Sequence, residues 1–160
     1  MTTSIKLIEP NWDAPTNVSA FSTTRLAGYS KEAYSGLNLG LHVGDSPYAV
    51  ELNRSALQLS TSIPAKPVWL NQVHGNHVQL IDKPTDTVYE ADASITFCRN
   101  LPLVVMTADC LPILITNTQG NAVAAVHCGW RSLASNIIER TISKMAERPE
   151  NIVVWLGPCI

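Results

Sequence analysis

Charge is scarce in this chain of 160 residues, and what there is nearly cancels. Asp, Glu, Lys and Arg make up 15% of the residues and the formal net charge is -2. That balance gives no electrostatic footing for nucleic acid or an anionic membrane surface as a partner. No apolar run approaches the roughly 18 residues of a membrane-spanning helix. The start, Met1 to Pro10, lacks the apolar stretch of a secretory signal, so the expected location is the cytoplasm. Histidine is limited to four residues, and the four cysteines (Cys98, Cys110, Cys128, Cys159) include no CxxC pair. In a reducing compartment such cysteines read as thiols rather than disulfides.

What is present is apolar. Hydrophobic residues reach 46%, enough for one domain over residues 1–160 with a largely buried sheet, and for an oligomeric surface as well. The chain stops four residues after a buried-strand pattern at Ile152–Leu156, which reads as a piece of a longer protein. Strands are predicted at Ser4–Ile8, Val18–Ser22, Pro67–Leu70, Val78–Ile81, Ala93–Thr96, Leu103–Thr107, Val123–Val126 and Ile152–Leu156. Ser46 and Pro47 open a helix that runs to about Ser60. Leu133, Ile137, Ile138, Thr141, Ile142 and Met145 space a second helix from about Ser132 to Glu147. The class is mixed α/β.

The chemistry concentrates at Leu103–Arg131. The apolar runs Leu103–Thr107 and Val123–Val126 lead into Ala108-Asp109-Cys110 and His127-Cys128-Gly129-Trp130-Arg131. Titratable residues at the ends of buried strands are where α/β proteins place their sites. Together with His74, which follows the strand Pro67–Leu70, Cys110 and His127 make a thiolate and two imidazoles. This set suits zinc with its fourth position open. The intervals, 36 residues (74 to 110) and 17 (110 to 127), form no local motif. Three buried or loop residues bonded to backbone would give the same pattern. A Cys–His nucleophile is the other chemical reading. Cys128 cannot pair with His127 in it, because neighbours on a strand face opposite ways. Asp109, in a turn, is a candidate to orient a ligand histidine. Arg25 and Arg131 are candidate anion binders beside glycine-containing loops, and Trp130 could stack on a flat ring. Two His, one Cys and Met106 resemble a blue-copper set, but Met106 lies inside the expected strand. Four histidines are too few for a multicopper oxidase.

Read together, several stretches resemble one family. They are Phe21-Ser22-Thr23-Thr24-Arg25, Gly36-Leu37-Asn38-Leu39-Gly40, Val43-Gly44-Asp45, Asn53-Arg54, Asn71-Gln72-Val73-His74-Gly75, Ala91-Asp92-Ala93, Met106-Thr107-Ala108-Asp109-Cys110-Leu111-Pro112, His127-Cys128-Gly129-Trp130-Arg131 and Leu156-Gly157-Pro158. They are similar to the signatures of the YfiH-like family, also called multicopper polyphenol oxidase or laccase-domain proteins. The resemblance implies a layered α/β/β/α sandwich with mixed sheets. It also implies zinc held by His74, Cys110 and His127, and phosphorolysis of adenosine, inosine, guanosine and methylthioadenosine with an adenosine deaminase side activity. Some relatives edit peptidoglycan. Arg25 and Asn38 map onto positions expected near phosphate or ribose. The chain departs from the family at Cys128 (commonly a small residue), Ser132 (glycine), Ala27-Gly28 (two glycines) and Cys159 in the last segment. A metal-free Cys/His hydrolase or amidase acting on a peptidoglycan-related amide, and a non-catalytic binding module or inactive fragment, stay open as alternatives.

Overall fold

The computed structural model describes residues 4–160. The described residues divide into two compact units, residues 4–9 with 21–63 and residues 10–20 with 64–160.

In the first unit β1 (Leu7–Ile8) pairs antiparallel with β2 (Ser22–Thr23). Both are shorter than the sequence suggested. The expected strand Val18–Ser22 does not form over residues 18–21. Residues 10–20 belong instead to the second unit, where Asn17 Nδ2 donates to Gly120 O at 3.0 Å. The helix α1 (Pro47–Thr61) forms as expected, with Pro47 in its first turn and Val50, Asn53 and Leu57 on one buried face. The Ser46 side chain makes no cap bond. Its backbone N–H donates to Asp45 Oδ1 at 2.7 Å.

A buried asparagine organises the loops of this unit. Asn53 Nδ2 donates to Ser30 Oγ (2.9 Å) and Asn38 O (2.7 Å), and Asn53 Oδ1 accepts from Tyr29 N (2.7 Å). Asp45 Oδ2 accepts from Ser30 Oγ (2.6 Å) and Asn38 Nδ2 (2.9 Å). The glycine-containing stretch 36–45 is therefore held by side chains rather than by a sheet.

The second unit is built on a mixed sheet. Its strands are β4 (Val78–Leu80), β6 (Ala93–Thr96), β7 (Leu111–Asn117), β8 (Val123–Cys128) and β9 (Ile152–Leu156), in the order β4-β6-β8-β7-β9. The pairing of β4 with β6 is parallel, and the rest are antiparallel. A separate parallel pair joins β3 (Leu70–Asn71) to β5 (Tyr89–Glu90). One face of the large sheet, with Ile95, Ile113, Ile115, Ala124, Val126 and Cys128, packs against Ile137, Ile138, Ile142 and Met145. Those four residues all lie on α3 (Ile137–Met145), which follows α2 (Trp130–Ala134). No helix among the described residues is long and apolar enough to cross a membrane.

Two further expectations need correction. Leu103–Thr107 is not a strand: Leu103 makes only an isolated parallel bridge to Val68, and the strand is β7, beginning at Leu111. Pro112 hid it, since proline within a run argues against a sheet interior. Here the missing donor faces the end of β9, where Pro112 O accepts from Gly157 N at 2.8 Å. Nor is the second helix continuous. Asn136 adopts φ 64°, in the left-handed region that Asn tolerates, and separates α2 from α3. Ser135 Oγ donates to Arg131 O (2.9 Å), and Asn76 Nδ2 takes the Ser135 carbonyl (2.8 Å), so the break is hydrogen-bonded.

Candidate metal centre

Three local features bring His74, Cys110 and His127 together. Strands β7 and β8 pair Leu111 with Cys128 and Pro112 with His127. One step further along this register sets Cys110 beside Gly129. A Cβ built on Gly129 would lie 2.9 Å from Cys110 Sγ and 3.2 Å from His74 Cδ2. The glycine is there for close approach, because its φ of -66° is open to any residue. Third, the Gln72 carboxamide clamps the loop that precedes Cys110. Its Nδ-equivalent amide nitrogen, Nε2, donates to Met106 O and its Oε1 accepts from Met106 N, both at 2.7 Å.

The donor atoms of His74, Cys110 and His127 all lie within 4.8 Å of one another. The two imidazoles meet edge to face, with centroids 4.8 Å apart. His127 is buried, Cys110 half-buried and His74 exposed, so the group opens on one side. His74 itself sits at φ 59°. A non-glycine residue there stores on the order of 1–3 kcal/mol of strain and persists only where its surroundings impose it.

The imposing group is Asp92, fully buried immediately before β6. Its Oδ1 accepts from His127 Nδ1 (2.8 Å) and His74 N (2.9 Å), and its Oδ2 from Gly75 N (2.7 Å) and Val73 N (3.2 Å). Burial alone would raise the Asp92 pKa and is the largest single influence. The His127 bond and the three amide bonds together outweigh it and hold the carboxyl below its ordinary value. Cys110 is shifted the other way. Burial first, then the charge and hydrogen bond of Asp109, then the charge of Asp92 push its thiol pKa up.

The other sequence candidates fall elsewhere. Cys128 is buried in the apolar cluster, turned from His127 as strand alternation requires. Among the described residues the carboxylate bonded to a histidine of the trio is Asp92 rather than Asp109, which acts on Cys110. Arg131 stacks on Trp130, with Cζ 4.4 Å from the ring centroid, and Trp130 is 71% exposed. Arg25 and Asn38 belong to the first unit. There Arg25 Nη2 donates to Ser35 O (2.9 Å), while Asn38 is held by Asp45 and Gly40. Asp92 and Gln72 escaped attention as individual residues. The signal for Asp92 was a charged residue between Ala91 and Ala93 at the head of the uncharged strand Ala93–Thr96, which is costly to bury without partners. Gln72 gave no comparable signal.

The chain is similar to known proteins. The chain is 48% identical over 155 residues to "Purine nucleoside phosphorylase YfiH" of Escherichia coli (strain K12), which covers 97% of this chain and 64% of that protein. It is 44% identical to "Purine nucleoside phosphorylase" of Haemophilus influenzae, covering 98% of this chain and 64% of that one. The crystal structure of Neisseria meningitidis protein NMB0706 superposes with a TM-score of 0.88 at 41% identity, covering 96% of this chain and 63% of that chain. That of YlmD from Geobacillus stearothermophilus gives 0.84 at 30% identity, covering 93% and 62%. The chain thus spans just under two thirds of the length of these relatives. The family model described as "Multi-copper polyphenol oxidoreductase laccase" matches residues 19–160, the whole of the sheet and the three converging donors included, and the chain belongs to that family.

Proposed function

We propose that this chain carries the zinc site of a purine nucleoside phosphorylase that also deaminates adenosine. The observation that carries the reading is the convergence of one thiol and two imidazoles within 4.8 Å on an open-sided surface. Three protein donors with an accessible side are the pattern of a catalytic rather than a structural zinc site. The names of the relatives supply the substrate class, a purine nucleoside with phosphate.

The donor set fits the metal on the chain's own chemistry. Asp92 engages His127 Nδ1 and leaves Nε2 for a ligand. The carboxylates of Asp92 and Asp109 make the surroundings of Cys110 favourable to a cation. Bound zinc would supply a Lewis acid and make water acidic enough to serve as a nucleophile at neutral pH. His74, Cys110 and His127 would hold it, with Cys110 giving up its thiol proton, so occupancy falls as pH falls. Arg25 is exposed, and its planar guanidinium suits bidentate recognition of phosphate. Asn38 completes the proposed phosphate or ribose contacts.

The raised pKa of Cys110 disfavours a metal-free thiolate nucleophile, which needs its pKa lowered. Among the described residues the three converging donors make one metal position with two imidazoles and a thiol, a set that suits zinc. The four free thiols fit the reducing cytoplasm. Zinc-loaded protein given adenosine and phosphate is expected to release adenine and ribose 1-phosphate. It should also contain about one zinc per chain by elemental analysis. Stoichiometric zinc with no phosphorolysis of any purine nucleoside would overturn the substrate assignment, and absence of zinc binding would overturn the site.

A further inference from the structure

We infer that Asp92 is the positioning residue of this centre: one carboxylate fixes the tautomer of His127 and the backbone of His74 together. The inference rests on the reading of His74, Cys110 and His127 as metal ligands. It adds a residue that touches neither metal nor substrate.

An ionised carboxylate only accepts hydrogen bonds, so the 2.8 Å contact to Asp92 Oδ1 requires the proton on His127 Nδ1. In the neutral imidazole Nε2 is then the lone-pair nitrogen and the one available to a cation. The same oxygen takes His74 N at 2.9 Å, while Oδ2 takes Gly75 N and Val73 N. Three successive amides converging on one anion form a backbone nest. This nest holds His74 at φ 59°. Among the described residues His127 is the sole ion-pair partner of Asp92, and the carboxylate is 0% exposed. No lysine or arginine ties it to a purely architectural role.

Oδ1 serves His127 Nδ1 and His74 N while Oδ2 serves the amides on either side of His74, and that division makes the idea discriminating. In Asp92→Asn one oxygen becomes an NH2 group, which cannot accept. If the amide oxygen stays with His127, the NH2 group meets the N–H groups of Val73 and Gly75. If it turns to the loop, the NH2 group faces His127 Nδ1 and favours the wrong tautomer. The first arrangement breaks the nest on both sides of His74, and the second releases His127.

The test begins with the unaltered protein, metal-free, by long-range 1H–15N NMR of the imidazoles. We expect neutral His127 as the Nδ1–H tautomer; a neutral ring with its proton on Nε2 instead of Nδ1 would overturn the inference whatever the variants do. Zinc and cobalt(II) affinities of D92N and D92A are then measured by competition with a chromophoric chelator. Both should be about 10- to 100-fold weaker than wild type, with an altered cobalt(II) absorption band. Cys128→Ala, a core change in the same sheet, is the control for stability loss alone. Wild-type metal affinity in D92A, or an equal loss in C128A, would overturn the positioning role. A wild type that binds no metal would instead remove the metal reading, and the tautomer measurement would still decide what Asp92 does to His127.

Discussion

Gly129→Ala is the smallest change that should separate the metal centre from the fold. The added methyl would sit 2.9 Å from Cys110 Sγ, whereas ordinary contact begins at 3.4 Å, so the sulfur must retreat by about 0.5 Å. His74, at 3.2 Å, must give as well. Overpacking of this kind costs roughly 1–3 kcal/mol. The backbone at φ -66° accepts alanine, and the less flexible unfolded chain returns roughly 0.4–1 kcal/mol. The net effect on stability is therefore about 1 kcal/mol, within reach of a modest shift in thermal midpoint. Ligand geometry is far less forgiving, since preorganised sites tolerate displacements of only about 0.5 Å. G129A should fold, melt within several degrees of wild type when metal-free, and bind zinc at least about tenfold more weakly. Thermal unfolding and chelator competition on the same preparation give both quantities. Zinc affinity equal to wild type would refute the claim that this glycine exists to admit the sulfur.

The two neighbouring cysteines should behave oppositely. Cys128→Ala removes a core sulfur and should cost about 1 kcal/mol by urea unfolding with zinc affinity kept, whereas Cys110→Ser should abolish tight zinc binding at little cost in stability. In the first unit, the Asp45 carboxyl is held below its ordinary value, chiefly by the hydrogen bonds from Ser30 and Asn38. A depressed folded pKa contributes stability that is present above the ordinary carboxylate range and lost as pH falls through the folded value. Ser30→Ala removes the strongest of those bonds, so its stability deficit at pH 7 should shrink on acidification through that window. A deficit that does not change with pH, or an unshifted Asp45 in an NMR titration, would show that the bond is not the cause.

The parts of the fold that were legible in the sequence are those whose local signals agree. Ile152–Leu156 and Ala93–Thr96 form strands over the expected residues, and Pro47 opens a helix where proline is favoured. The errors arise where tertiary contacts overrule local pattern. Leu103–Thr107 has the composition of a strand, yet it lies as a loop clamped at Met106 by Gln72. β7 carries a proline that only its place beside the end of β9 makes harmless. The metal trio was visible because thiol and imidazole are rare and chemically conspicuous. Asp92 was not, because a carboxylate becomes informative only when it is known to be buried among amides and an imidazole. Asp109, adjacent to a ligand in sequence, drew attention that belonged to a residue distant in sequence.

The register of β8 has a consequence of its own. Ala124, Val126 and Cys128 face the apolar cluster, and strand alternation turns His127 the other way, toward Asp92. A slip of one residue would exchange the faces, presenting Cys128 where His127 stands and driving the imidazole into the apolar cluster. Two thiolates and one imidazole also bind zinc well. Metal affinity would therefore not penalise the misaligned strand. The discrimination has to come from the core, which rejects a buried imidazole, and from a carboxylate left without its partner. In this protein the fidelity of the metal centre is set by what the opposite face of the sheet refuses.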